Sequence, residues 1–382
     1  MKDLIFEAVD SLASKYVSIW KDVCEIESPT DNKRGVDAVG NYLMDIARKN
    51  GWSVDVFEQP IAGNVITVTM NPHASAAPLA LSGHMDTVHA IGAFPTPTVK
   101  IEGDTIYGPG VCDCKGGIVV GFLAMEALRK CNFTARPVVM YLQSDEEGGG
   151  KYSNDETIRH ICHAAQGSVA FLNLEGGTAG KICQARKGIA SFEITVKGQE
   201  AHSALCATAG ANAILQAAQL IVELEKIKDA DGLTCSCTLI NGGTKHNIVA
   251  GLCRFTANVR FATQKQLEDF QDYLADLTKT PTVAGCQIEV LLPRIRPALE
   301  ANEQNLALID RLNRIWSDNG MTPLQGGSDL GGSDAANVSA SGIPAVDNLG
   351  VFGGKIHTLE EFAVVSSLTQ QAKRIALAAL YI

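Results

Sequence analysis

The chain has 382 residues, a formal net charge of −10 and a pI of about 5.3. A chain of this length exceeds what one hydrophobic core usually serves, so we expect two domains. The acidic balance disfavours nucleic acid and anionic membranes as partners. It does not exclude a small anionic substrate, because a local pocket of basic residues can attract an anion despite the negative net charge.

The N-terminus and the cysteines both indicate a cytoplasmic protein. Residues 1–7 mix acids with apolar residues, as an amphipathic helix does and a signal peptide does not. The longest apolar run, Gly117–Met125, is too short to cross a bilayer. Eleven cysteines in no regular framework are typical of free or buried thiols in a reducing compartment.

Helix and strand signals alternate through the first half of the chain. Val36, Val39, Leu43 and Ile46 share one helical face, and Gly51 follows as a stop signal. Further along, the pattern predicts strands at 65–69, 79–82, 138–143 and 169–174 and a buried helix at 116–130. Such alternation predicts a mostly parallel sheet with helices on both faces.

After Lys187 the strands acquire one polar face. The predicted order is a strand at 192–196, a helix at 212–227, strands at 234–240 and 252–261, a helix at 264–278 and a strand at 287–292. This β-α-β-β-α-β order is ferredoxin-like. We therefore predict an α/β fold in which a mixed, mostly parallel sheet flanked by helices (residues 1–186 and 294–382) carries an inserted ferredoxin-like α+β domain (residues 187–293).

Acids and histidines directly follow buried strands in three segments, Ser82–Val88, Tyr107–Gly117 and Gln143–Gly148. Glu175 and His357 are two further candidates. Ligands bind at the carboxyl ends of strands in open α/β sheets, and charges there are costly unless they are neutralised. Mixed histidine and carboxylate groups suit zinc or a similar ion. Two histidines and three carboxylates suffice for two ions if one carboxylate bridges them.

The motifs together resemble those of the zinc-dependent aminoacylase, acetylornithine deacetylase, succinyl-diaminopimelate desuccinylase and glutamate carboxypeptidase family. His-x-Asp begins at His84, and Gly-x-Gly-x-x-Asp-x-Lys-Gly-Gly spans 108–117. Asp-Glu-Glu-x-Gly begins at Asp145, and His-Thr begins at His357. Order and spacing match over essentially the whole chain, and the glutamate carboxypeptidase branch is the most similar.

The resemblance implies a zinc exopeptidase-like catalytic domain with two Zn²⁺ ions per subunit, Co²⁺ or Mn²⁺ being the alternatives. The implied ligands are His84 and Glu175 for one ion, Glu147 and His357 for the other, and Asp113 as the bridge. Asp86 would orient the imidazole of a ligand from behind. Glu146 would be the general base, taking a proton from water and passing it to the leaving amine.

Two positions depart from the commonest family pattern. Cys114 stands where relatives usually carry aspartate or methionine, and the family leads us to expect a cis Asp113–Cys114 peptide with no ligand role for the thiol. Asn258 replaces the aspartate of an Asp-x-Arg motif, whereas Arg260 is retained.

The inserted domain is expected to act as a lid and dimerisation domain that selects the substrate. The resemblance implies that His202 reaches the active site of a partner subunit and stabilises an oxyanion, and that Asn247 binds substrate. Arg296 would hold the α-carboxylate by two parallel hydrogen bonds. Lys181 and Arg260 align with residues that recognise a glutamate side chain. The structural alternatives are a loop cap for His202 and ordinary surface charges for the arginines.

We predict a homodimeric di-zinc metallopeptidase that cleaves the amide bond before a C-terminal amino acid, glutamate being favoured. Its substrate would be a small peptide or an N-acyl amino acid. Alternatives with the same chemistry are deacylation of acetylornithine or succinyl-diaminopimelate and cleavage of dipeptides. An alternative of another class is an inactive relative that binds amino-acid derivatives, and the intact Glu146 argues against it.

Overall fold

The chain forms two compact units in the computed structural model, which describes residues 1–382 apart from the side chains of residues 292 and 293. The first unit comprises Met1–Gln184, Ala301–Ser328 and Ser333–Ile382. The second comprises Ala185–Glu300 and Asp329–Gly332, and therefore interrupts the first along the sequence.

The helices and strands alternate as follows. The helices are α1 Lys2–Glu25, α2 Lys33–Lys49, α3 Lys115–Lys130, α4 Glu156–Ala164, α5 Ala213–Leu224, α6 Gln264–Lys279, α7 Glu303–Asp318, α8 Asp334–Ala340 and α9 Ser367–Tyr381. The strands are β1 Ser53–Phe57, β2 Val65–Met70, β3 Leu79–His84, β4 Lys100–Glu102, β5 Thr105–Tyr107, β6 Val138–Gln143, β7 Ala170–Asn173, β8 Lys181–Arg186, β9 Gly188–Lys197, β10 Thr234–Gly242, β11 Leu252–Phe261, β12 Gln287–Arg296, β13 Gln325–Asp329, β14 Ala345–Val346, β15 Gly353–Gly354 and β16 Phe362–Val364.

The main sheet of the first unit has the order β1-β2-β6-β3-β7-β14. Strands β6, β3, β7 and β14 are parallel, and β2 joins them antiparallel. The two strands at its centre, β3 and β6, are buried along their whole length, as expected for a sheet covered on both faces. The predicted mixed, mostly parallel sheet is therefore confirmed.

Helices α1, α3 and α9 pack together beside this sheet. Helix α3 is almost entirely buried, because its run from Gly116 to Leu128 is apolar except for Glu126. Its first turn approaches the end of β7 so closely that a Cβ on Gly117 would lie 1.7 Å from the carbonyl oxygen of Leu174. Glycine is therefore required where the helix meets the strand that leads to Glu175.

A small sheet of the first unit has the order β15-β16-β5-β4. Strand β5 leads directly into the loop that carries Asp113. The segment between β15 and β16 carries His357. This sheet was absent from the sequence prediction, because its strands are two or three residues long and show no clear alternation of apolar and polar residues.

The second unit is built from β9, α5, β10, β11, α6 and β12, in that order along the chain. Its antiparallel sheet has the spatial order β10-β11-β9-β12, so the predicted ferredoxin-like arrangement is confirmed. Helix α6 begins at a reciprocal capping box in which the Thr263 hydroxyl and the Gln266 side chain each bind the other residue's backbone. Strand β12 extends to Arg296, beyond the predicted end at 292.

Among the described residues, none of the helices combines the length and the apolarity that a bilayer-spanning helix needs.

Candidate metal centre

The sequence motifs meet at one edge of the main sheet of the first unit. His84 is the last residue of β3, and Glu175 follows β7 by two residues. Glu146 and Glu147 follow β6 in a tight turn. Since β3, β6 and β7 are parallel, their carboxyl ends lie at the same edge, and the side chains that follow them converge.

Asp113 lies at the centre of the acidic cluster and faces a histidine with each carboxylate oxygen. Its Oδ1 is 3.0 Å from Nε2 of His84, and its Oδ2 is 3.2 Å from Nε2 of His357. On the first side, Glu175 Oε1 lies 3.6 Å from His84 Nε2. On the second side, Glu147 Oε2 lies 3.2 Å from His357 Nε2. The five side chains thus form two groups of potential ligands that share Asp113.

The donor atoms are close enough to share metal ions. The nitrogen of His84 and the carboxylates of Asp113 and Glu147 lie within 4.8 Å of one another, as do His84, Cys114 and Glu175. Imidazole and carboxylate donors at such separations are those that zinc and similar ions use. The residues that are present therefore fit a metal site.

Burial and the two histidines shift the pKa values of the acids in the cluster in opposite directions. Burial raises the pKa of Glu147 to about 7 and that of Glu175 to about 8, against the opposing effect of a histidine beside each. Hydrogen bonds to Asp113 and Glu147 raise the pKa of His357 to about 10. Burial alone would raise the pKa of Asp113, but its hydrogen bonds to both histidines hold that pKa well below its usual range. Acids held together in this way favour cations among them.

Asp86 links the two sides of the cluster. Nδ1 of His84 lies 2.9 Å from the backbone oxygen of Asp86 and 3.4 Å from its carboxylate. The same carboxylate accepts the backbone N–H groups of Glu146 (3.3 Å) and Glu147 (3.0 Å) and the hydroxyl of Thr30 (2.8 Å). The sequence predicted only its contact with His84. The structure adds that one buried carboxylate fixes both the imidazole and the turn after β6.

Glu361 is a further buried acid that the sequence analysis missed. Its carboxylate accepts the backbone N–H groups of Gly110 (3.1 Å), Cys112 (2.9 Å) and Asp113 (3.0 Å). Nε2 of His89 is 3.2 Å from the same carboxylate. Glu361 is 1% exposed, so these bonds are shielded from water. An available signal was its position four residues after His357, in a segment already linked to the site.

Cys114 follows a cis peptide bond from Asp113, as the family resemblance led us to expect. Its Sγ donates a hydrogen bond of 3.2 Å to the carbonyl oxygen of Leu174, and the side chain is fully buried. Burial raises the pKa of the thiol well above its ordinary value. A neutral thiol with its hydrogen already directed at a carbonyl is a poor metal ligand, since the thiolate is the form that binds.

Two predicted arginines lie side by side in the second unit. Arg260 on β11 and Arg296 on β12 both pair with Ile189 of β9, so they flank the same residue of the central strand. Burial lowers the pKa of Arg260, and the nearby charge of Arg296 lowers it further. Asn258 accepts a 3.3 Å hydrogen bond from Nε of Arg260. The asparagine therefore still holds this arginine where many family members have aspartate.

His202 and Asn247 also come together in the second unit. The backbone N–H of Ser203 donates to the backbone oxygen of Asn247 (2.9 Å), and His202 forms a bridge with Ile248. Nδ1 of the exposed His202 accepts the N–H of Ala204, so the histidine does cap a short turn, as its structural alternative anticipated.

Lys181, the remaining predicted residue, belongs to the first unit. It is the exposed first residue of β8, and its backbone N–H donates to Thr178.

Several known proteins resemble this chain in sequence. Residues 184–286 match the family model of a peptidase dimerisation domain. Carboxypeptidase G2 from Pseudomonas sp. (strain RS-16) is 25% identical over 373 residues, which cover 97% of this chain and 89% of that protein. Acetylornithine deacetylase from Myxococcus xanthus is 29% identical over 213 residues, which cover 52% of this chain and 53% of that protein.

Solved structures resemble the whole chain. A crystal structure of the YXEP protein from Bacillus subtilis, described as a dinuclear metal-binding peptidase of the M20 family, matches with a TM-score of 0.75 at 15% identity. The match covers 98% of this chain and 100% of that one. At this identity the likeness establishes the fold alone.

A sheet edge that gathers histidines and acids, joined to a peptidase dimerisation domain, defines a hydrolytic enzyme of the metallopeptidase class. Residues 184–286 thus match the dimerisation domain of M20 peptidases, and the chain resembles carboxypeptidase G2 in sequence and an M20 family peptidase in fold over nearly its whole length.

Proposed function

We propose that this protein is a di-zinc hydrolase that cleaves the amide bond before a C-terminal amino acid, with glutamate preferred. The observation that carries the proposal is the position of Asp113, which directs one oxygen toward each of two histidines, each beside its own glutamate. A bridging carboxylate between two ligand groups is the arrangement that a two-metal site requires.

The proposed ligands divide between two ions, with Co²⁺ or Mn²⁺ as alternatives to zinc. His84 and Glu175 would hold one ion, Glu147 and His357 the other, and Asp113 both. When bound, the ions would supply Lewis-acid polarisation of the scissile carbonyl and activation of water. The roles of Asp86 and Glu361 are to fix the ligands, through the bonds described above.

Glu146 is the proposed general base. Its backbone N–H donates to the Asp86 carboxylate, and its side chain is 6% exposed on the turn after β6. Burial is the largest cause of the raised pKa values of Glu147 and Glu175, and the charge of Glu146 is a smaller cause of both. The carboxylate of Glu146 therefore lies near both glutamates. A carboxylate there can take a proton from water and deliver it to the nitrogen of the leaving amine.

The adjacent arginines support a substrate with two carboxylates. Arg260 and Arg296 repel each other, and an anion bound by both would relieve that repulsion. We assign the α-carboxylate to Arg296 and the side-chain carboxylate of glutamate to Arg260, assisted by Lys181. Asn247 would donate to the substrate.

A homodimer is part of the proposal, because His202 is assigned to the active site of the partner subunit, where it would stabilise an oxyanion. Strand β10 lies at an edge of its sheet. Leu239 and Ile240 on β10 are 70% and 58% exposed, and Val222 on the neighbouring helix α5 is 60% exposed. Exposed apolar side chains beside an unpaired edge favour association with a second copy.

We also propose a cytoplasmic location, which the free thiols support. All eleven cysteines are free in the structure, and most of them are buried or partly buried. Thiols that persist unpaired in such number are typical of a reducing compartment.

A substrate panel tests the proposed function. The zinc-loaded protein would be assayed with N-acyl-glutamate, peptidyl-glutamate, N-acetylornithine, N-succinyl-diaminopimelate and simple dipeptides. Release of glutamate, lost in Glu146→Gln while the bound metal is retained, is the expected result. Release of ornithine or diaminopimelate instead would keep the mechanism and refute the substrate. Binding without turnover of any amide would favour the inactive-relative alternative.

A further inference from the structure

An open groove of about 570 Å³ lies on the outer face of the small sheet of the first unit. Side chains of this face alternate with those that point to the core. Tyr107 on β5 pairs with Lys100 on β4 and with Phe362 on β16. Ile106 and Ala363 point the other way and are fully buried. The groove is therefore formed by the outward-facing side chains of the sheet, and Leu359 lines one side of it.

The groove and the candidate metal centre share the same backbone framework. Tyr107 ends β5, and the next residue, Gly108, donates its N–H to the backbone oxygen of Glu361. The side chain of Glu361 in turn holds the N–H of Asp113. The opposite side of the groove is the segment between Lys355 and Glu360, which carries His357. A molecule in the groove would thus contact both segments that supply the centre.

The chemistry of the groove suits an uncharged apolar group. The rings of Tyr107 and Phe362 lie 6.4 Å apart between centroids, and Leu359 is 58% exposed beside them. The cations of the groove are already neutralised, since Lys355 pairs with Glu360 at 2.6 Å and Lys100 pairs with Glu102. No net charge is left there to recognise a charged acyl group.

We infer that this groove binds the acyl side of the substrate and selects large, uncharged apolar acyl groups. The inference rests on the proposed amide hydrolysis, in which the arginines bind the released amino acid and the acyl group needs a site of its own. A volume of about 570 Å³ lies in the range of sites for ring-sized ligands and is far more than an acetyl group needs. Tyr107 and Leu359 are the specificity residues.

The test compares kcat/KM for the N-(3-phenylpropanoyl) and N-acetyl derivatives of whichever amino acid the panel shows to be released fastest. The wild type is expected to favour the larger acyl group by roughly 10-fold or more, as burial of a ring provides. Tyr107→Ala removes an aromatic wall and Thr105→Trp fills the groove, so each should lower that ratio by about 10-fold. The matched control is Ile101→Ala, on the opposite face of the same hairpin, which should leave the ratio unchanged.

A wild-type ratio near one, or a ratio that neither groove variant lowers, overturns the inference while leaving the hydrolase intact. If no amide is hydrolysed, the proposed function fails. Binding of 3-phenylpropanoate, measured by calorimetry, then tests independently whether the groove binds an apolar acyl group. Binding to the wild type that is lost in Thr105→Trp would support the groove. Absence of binding to the wild type would overturn it.

Discussion

Replacing Glu361 with glutamine should weaken both the fold and the metal centre. Oε1 of Glu361 accepts the N–H groups of Cys112 and Asp113, and Oε2 accepts the N–H of Gly110 and contacts His89. An amide offers one oxygen, so its NH₂ group must face backbone donors on one side. Whichever way the amide lies, at least one buried N–H group is left without an acceptor.

The magnitude follows from these contacts. A buried donor without a partner costs about 1–3 kcal/mol, and a hydrogen bond to a neutral oxygen is worth about 1 kcal/mol less than one to a charged oxygen. With the oxygen toward Cys112 and Asp113, one donor is orphaned and two bonds lose their charge assistance. The free energy of unfolding should therefore fall by about 3–5 kcal/mol. The metal affinity should fall as well, because the backbone of Asp113 is no longer fixed.

The assay is urea unfolding of the metal-loaded proteins, together with competition for the metal against a chelator. Glu360→Gln is the matched control, because it makes the same chemical change at the next residue. Glu360 is exposed and pairs with Lys355 at the surface, where such pairs contribute little. If Glu361→Gln matches this control in both unfolding midpoint and metal affinity, the argument for Glu361 is wrong.

Three further outcomes are expected. Glu146→Gln should lower kcat by roughly 10²–10⁴-fold, as loss of a general base does, with metal content unchanged by elemental analysis; a kcat near wild type would exclude it as the base. Removing metal with a chelator should abolish hydrolysis and lower the thermal midpoint, because ions that bind only the folded state stabilise it, and added Zn²⁺ should restore both. A midpoint that ignores the metal would contradict the ligand assignment. Gly117→Ala should destabilise the protein by roughly 1–3 kcal/mol in thermal or urea unfolding and weaken metal binding, because a methyl group there meets the carbonyl of Leu174 beside Glu175. Wild-type stability in this variant would show that the helix can shift without cost.

The parts of the candidate site that could be predicted are those in which a histidine or an acid directly follows a buried strand in the sequence. His84 ends a fully buried strand, and Glu146 and Glu147 follow another, so parallel pairing alone brings them together. The fold class followed from the same alternation of strands and helices. The periodicity of apolar residues and the composition of the segments were sufficient to predict the fold class, because the strands are long and the helices are amphipathic or buried.

Contacts between distant loops were not predictable. The bond between Glu361 and the N–H of Asp113 spans 248 positions, and no local pattern records that the backbone folds back to that carboxylate. The family resemblance assigned Asp86 one role, behind the imidazole of His84. Its bonds to the turn after β6 depend on the tertiary structure. The loop Asp329–Gly332 clusters with the second unit although it lies outside the continuous segment, which composition could not reveal.

The interruption of the first unit by the second has a consequence for synthesis on the ribosome. Almost all of the second unit is continuous in sequence, whereas the first unit needs β14, β16 and α9 from the last residues of the chain. Domains generally fold as units while the chain emerges. We therefore expect the second unit to acquire its structure first. At that stage His84, Asp113 and Glu147 have been synthesised, but the first unit still lacks its last strands and His357. If the proposed ligand assignment is right, a metal ion can be held from both sides only in a completed chain, and truncated products should be inactive.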